Sequence, residues 1–158
     1  MTPRLSRYNV TLGAAVVVVA AVATLLNFAR TGESGVLMVV IAIGLVVGVL
    51  NVALSGKLAR RVWGRAGPPA TEPPPSLSAA SWLAFALVML GLGVVVIVYS
   101  VFAPFRAAIG LPGILMGVGS GYIAVGIQLR RLEEREGMQI RIGSIWSGRP
   151  VLCPPPVP

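Results

Sequence analysis

Histidine and aspartate are absent from this chain, and cysteine and lysine occur once each, as Cys153 and Lys57. Each absence removes a class of chemistry. Without histidine there is no His-ligated haem and no His-containing metal site, and one cysteine does not hold an iron–sulfur cluster. No Ser/His/Asp or Cys/His arrangement can be drawn, so the usual routes to an activated nucleophile are closed. A lone cysteine forms no intrachain disulfide. Cys153 lies in Val-Leu-Cys-Pro-Pro-Pro-Val-Pro; Pro155, not Cys, stands fourth from the end, so the tail does not match a prenylation box. An inert tail thiol is expected. The expectation from these absences is a non-enzymatic chain with no cofactor and no bound metal.

Charge is scarce too. Charged residues make up 11% of the 158-residue chain and hydrophobic residues 56%, where a soluble domain carries about 25% charged residues. Four runs hold no Asp, Glu, Lys, Arg or His: Val10–Ala29, Gly35–Ser55, Trp82–Phe102 and Ala107–Leu129. At about 1.5 Å rise per residue, some 20 helical residues cross the roughly 30 Å hydrocarbon core of a bilayer. The expected fold is an all-α integral membrane protein with four transmembrane helices. The longest polar stretches, 56–81 and 130–158, leave no room for a second soluble domain. The run after Arg4 and Arg7 contains Ala21-Val22-Ala23, a possible cleavage site, but continues through Phe28. It reads as an uncleaved first helix.

The five acidic residues are Glu33, Glu72, Glu133, Glu134 and Glu136, all outside the runs. Proton-coupled and ion-coupled transporters keep ionisable groups inside their helices, because a charge there is costly and retained for function. Their absence argues against coupled transport. Glu133, Glu134 and Glu136 alternate with Arg130, Arg131 and Arg135, which reads as a solvated, ion-paired helix face rather than an acid cluster.

The basic residues are distributed unevenly. Arg4 and Arg7 precede the first run; Lys57, Arg60, Arg61 and Arg65 follow the second; Arg130, Arg131, Arg135, Arg141 and Arg149 follow the fourth. Only Arg30 and Arg106 lie in the other two connections, a bias of 11 to 2. The positive-inside rule puts both termini and the 56–81 loop in the cytoplasm. The net charge of +8 then reads as a topology signal and an attraction to anionic lipid headgroups, not as a nucleic-acid footprint. Tyr8, Trp63 and Trp82 flank inner ends, and Phe28, Tyr99, Phe102 and Phe105 outer ends, where amphipathic rings settle. The dominance of Arg over Lys, with abundant Ala, Gly, Val and Pro, matches a GC-rich genome and hence a prokaryotic cell membrane.

The outer connections, 30–34 and 103–106, are short, so the chain reads as two helical hairpins. The inner connection is Pro-rich from Ala66 to Ser76 and is expected to form an extended spacer. A bundle over 1–136 should carry a cytoplasmic continuation of the fourth helix to Glu136, stopped at Gly137. In the tail, 137–158, Met138, Ile140 and Ile142 alternate with polar residues and Gly143, which suits a short strand or an interfacial segment. Ile145 and Trp146 would anchor it, and the Pro-rich end should be extended.

Glycine supplies the remaining pattern. Gly113, Gly117 and Gly121 stand at i, i+4, i+8 in the fourth run, and Gly44 and Gly48 at the same spacing in the second. Small residues at this spacing let backbones approach closely where lipid supplies no hydrophobic drive between helices. A shift of 69 positions superposes Gly44 and Gly48 on Gly113 and Gly117, a parallel repeat too weak in apolar sequence to establish duplication. Asn27, Asn51 and Ser100 lie near helix ends, and Thr24 and Tyr122 are placed to hydrogen-bond within the bundle.

Three functions fit. The first is an accessory or structural subunit of a larger membrane complex, packing by glycine-rich faces against other membrane subunits or a second copy. The second is a homo-oligomeric channel or passive transporter with a Gly/Ser-lined pore. The third is a membrane anchor that recruits a soluble partner through its Pro-rich and basic segments.

Overall fold

The computed structural model describes residues 4–32, 34–66, 79–102, 105–142 and 150–154. Among the described residues there are four helices: α1 (Leu5–Thr31), α2 (Ser34–Arg65), α3 (Ala79–Phe102) and α4 (Phe105–Glu136). Three contain segments long and apolar enough to cross a membrane: Leu5–Arg30, Leu37–Arg65 and Gly110–Glu136. In α3 the corresponding apolar stretch is Ala86–Tyr99. The proline-rich 67–76 loop, the Glu33 and 103–104 turns, Ile145, Trp146 and the 155–158 end lie outside the described residues.

α4 is the middle of the assembly. α2 and α1 both pack along it extensively, whereas the sequence-adjacent pairs α1–α2 and α3–α4 touch sparsely. α4 presents glycine to both neighbours. Gly113, Gly117 and Gly121 face α2; Gly119 and Gly126 face α1. At about 100° per residue, Gly117 and Gly119 are about 200° apart around the axis, so the two seams lie on opposite faces. α2 runs parallel to α4, because Ile43, Val47 and Asn51 meet Gly113, Gly117 and Gly121 in ascending order. α1 runs antiparallel, with Gly13 against Gly119 and Ile123, and Ser6 and Val10 against Gly126.

α2 continues for ten residues beyond Ser55, where the sequence reads as the start of a polar loop. Ala59, Val62 and Trp63 explain the extension. They recur at helical spacing and pack with Leu129, Ile140 and Leu5 in an apolar cluster at the end of the bundle. The helix therefore persists for as long as it has a face to bury.

That cluster is roofed by a two-stranded antiparallel sheet, an element additional to the helical bundle. β1 (Gln139–Ile142) pairs with β2 (Pro150–Cys153), with Ile140 opposite Leu152 and Gln139 opposite Cys153. Gly137, at φ +62°, ends α4 and turns the chain back beneath the bundle. A side chain there is strained in the left-handed region. Gly137→Ala is expected to lower stability by about 1 kcal/mol, read as a lower unfolding midpoint in detergent and faster amide exchange in β1. Ile140 and Cys153 are buried, so the tail thiol is enclosed by the hairpin rather than displayed on an extended end.

Candidate functional site

The described basic residues other than Arg30 and Arg106 gather at one end. Arg4 and Arg7 begin α1, Lys57, Arg60, Arg61 and Arg65 end α2, and Arg130, Arg131 and Arg135 end α4. The antiparallel α1–α4 and parallel α2–α4 packing brings these three termini together, and Arg141 of β1 joins them. Arg30 is at the opposite end, with Phe28. Tyr99 and Phe102 are at that end as well, because α3 stops only three residues before α4 begins there. Both rings are exposed on the bundle surface.

At the basic end, three segments meet on one carboxylate. Ser6 of α1 donates its hydroxyl to Glu133 Oε2 at 2.8 Å, and the backbone N–H of Ile140 donates to Glu133 Oε1 at 3.1 Å. Glu133 is 7% exposed. An isolated antiparallel bridge joins Arg4 to Arg141 on the free edge of β1, so the lead into α1 extends the sheet by one position. The sequence reading of Glu133, Glu134 and Glu136 as one solvated face therefore divides. Glu134 is exposed and pairs with Arg130 Nε at 3.0 Å, whereas Glu133 is buried, one residue away on the α1 side of α4. Charge alternation along a helix cannot reveal that a second helix and a returning strand cover one of its faces.

The α2–α4 seam is the second organised region. A Cβ added at Gly113 would lie 2.9 Å from both Ile43 Cβ and the Val40 carbonyl oxygen. One at Gly121 would lie 2.8 Å from Asn51 Cβ, and one at Gly117 would collide with Val47. From the other side, Gly44 faces Met116 at 3.2 Å and Gly48 faces Ser120 at 3.8 Å. The sequence-predicted positions Gly44, Gly48, Gly113, Gly117 and Gly121 thus meet in a single seam. The α1–α4 seam of Gly13, Gly119 and Gly126 escaped the sequence reading. Gly119 and Gly126 are seven apart, two helical turns, and only a search at that period would have found them.

Asn51 is more than an end-of-helix polar residue. Its amide Nδ2 donates to the Gly117 carbonyl oxygen at 3.1 Å, across the seam. The carbonyl has a second lone pair for this bond, and the absence of a side chain at Gly117 exposes it. Ser120, Ser55 and Thr24 instead bond back to their own helices, at Met116, Val52 and Ala20. Asn51→Ala keeps the Cβ beside Gly121 and removes the bond together with the packing of the amide group there. A loss of about 0.5–2 kcal/mol is expected, measurable by reversible unfolding in mixed micelles; an unchanged midpoint would show that the bond contributes nothing.

Among the described residues, no group of three His, Cys, Asp or Glu side chains is placed to hold a metal ion. No protein-family model, curated protein or solved structure matches the chain.

Proposed function

We propose that this chain is a non-catalytic accessory or structural subunit of a larger membrane complex, in a prokaryotic cell membrane, with all four helices crossing and both termini cytoplasmic. One observation carries the reading: the helices bury their small residues against each other and leave their large apolar side chains outside. Leu45, Val46, Val49 and Leu50 of α2 and Leu83, Leu87, Leu90 and Val95 of α3 are all exposed. α3 touches α1 and α4 only sparsely, its closest glycine approach being Gly93 to Val19 at 3.4 Å. A helix held so lightly by its own chain suits an element completed by a neighbouring subunit. The basic end, tied together through Glu133, gives such a subunit a cytoplasmic face to dock on.

The pore reading is weakened by the same geometry. The glycine stripe that would line a channel is occupied by Val40, Ile43, Val47 and Asn51 of the same chain. Extraction in mild detergent followed by native electrophoresis should place the protein in a particle much heavier than the monomer, with other membrane polypeptides. A lone monomer that co-purifies with nothing would sink the proposal.

A further inference from the structure

We infer that the basic end contains a defined binding site for the phosphate of an anionic phospholipid, in the groove where the start of α1 crosses the end of α4. The groove has a volume of about 380 Å³ and is lined by Arg4, Arg7 and Arg130, with Thr11, Val10 and Ile127 toward the apolar side. Gly126 makes the crossing possible. A Cβ there would lie 2.8 Å from the Ser6 carbonyl oxygen and from Val10 Cγ2. The helices touch at this point, and the longer side chains above it form walls.

The charge balance selects an anion. Glu133 also lines the groove, but its two oxygens are engaged by Ser6 and Ile140. Arg130 also pairs with the exposed Glu134, so three guanidinium groups stand against two carboxylates, and the groove keeps a net positive charge carried by Arg4 and Arg7. The first turn of α1 carries no acidic residue of its own, so Glu133, already held by Ser6 and Ile140, is the one carboxylate beside it among the described residues. A guanidinium fork matches two phosphate oxygens.

Depth selects a lipid. Val10 and Ile127 belong to uncharged runs, whereas Arg4, Arg7 and Arg130 lie immediately beyond them. The groove spans the boundary between hydrocarbon and headgroup, where a phospholipid phosphate resides with its chains beside the helices. A choline or ethanolamine headgroup would bring a cation towards the arginines, so net-negative headgroups are selected. The inference rests on the membrane reading but not on the existence of a partner subunit.

The test uses the full-length protein in nanodiscs of phosphatidylcholine with one-fifth phosphatidylglycerol, extracted for native mass spectrometry. Wild-type protein should retain phosphatidylglycerol in preference to phosphatidylcholine. Arg7→Gln/Arg130→Gln should lower that retention about tenfold or more, while Arg7→Lys/Arg130→Lys keeps most of it. The control Arg60→Gln/Arg61→Gln removes the same charge from the same end on α2 and should retain lipid as wild type does. Equal loss in both glutamine variants would mean diffuse charge and overturn the site, as would no loss in either. Inorganic phosphate bound at millimolar concentration with no preference between lipids would assign the groove to a soluble anion and overturn the lipid. Co-purification with other subunits is read separately, so failure here leaves the accessory-subunit reading standing, and the reverse.

Discussion

Gly117→Val should detach α2 from α4 and give the largest loss of stability of any single substitution in the seam. Gly117 sits in the middle of the three α4 glycines, and a Cβ there would overlap the Cβ and Cγ1 of Val47 and come within 3.0 Å of the Gly48 backbone nitrogen. Val47 is β-branched and has few rotamers in a helix, and Gly48 offers backbone only. Neither neighbour yields without moving α2. Even Gly117→Ala should cost about 1–3 kcal/mol from overpacking, exceeding the roughly 1 kcal/mol that alanine gains in helix propensity. Valine should cost more and remove the Asn51 bond as the helices separate. Gly91→Ala on α3, where an added Cβ meets nothing within 4 Å, is the internal control and should be neutral or slightly stabilising. Unfolding midpoints in mixed micelles check the ranking. A Gly117→Ala midpoint equal to that of Gly91→Ala would refute the seam.

The second large effect is expected at Glu133. Glu133→Ala leaves the Ser6 hydroxyl and the Ile140 N–H without their acceptor in a covered site. Unsatisfied buried donors cost about 1–3 kcal/mol each, so a total loss of roughly 2–4 kcal/mol is expected after water enters to solvate part of the gap. The damage should be local first. Hydrogen exchange should accelerate in β1 and in the first turn of α1, and a protease should reach β1 and β2, while the middles of α2 and α4 stay protected. Glu133→Gln keeps an acceptor oxygen and should fall in between. Glu134→Ala removes an exposed pair, worth about 0.5 kcal/mol or less, and should leave all three probes unchanged. Equal effects of Glu133→Ala and Glu134→Ala would show that burial of Glu133 does not matter.

These two sites differ in how far they can be read from the sequence. The α2–α4 seam is visible as Gly44, Gly48, Gly113, Gly117 and Gly121, because helical periodicity alone puts residues four apart on one face. Their partners are another matter. Ile43, Val47 and Asn51 each lie 70 positions before the glycine they meet, and nothing in an apolar run distinguishes them from the valines and leucines that face outward. In a soluble protein polarity would mark the outer face. In helices long and apolar enough to cross a membrane, both faces are apolar and that signal vanishes. The α1–α4 seam was missed for the same reason, compounded by its seven-residue spacing. Glu133 and the extension of α2 to Arg65 failed differently: Glu133 is covered by Ser6, 127 positions away, together with the returning strand, and the end of α2 packs on Ile140, far along the chain.

By itself the sequence determined four uncharged helical runs of spanning length, of which three are, among the described residues, helices long and apolar enough to cross a bilayer, and the segregation of arginine between their ends. Both follow from local physics: uncharged residues at spanning length, and charges confined to the connections. The tertiary structure alone decided that α4 lies between α1 and α2, that one carboxylate of three is buried, and that the tail closes over the basic end. Those outcomes come from contacts between residues far apart in the chain, where the closeness permitted by a missing Cβ, not the polarity of any residue, chooses the neighbour.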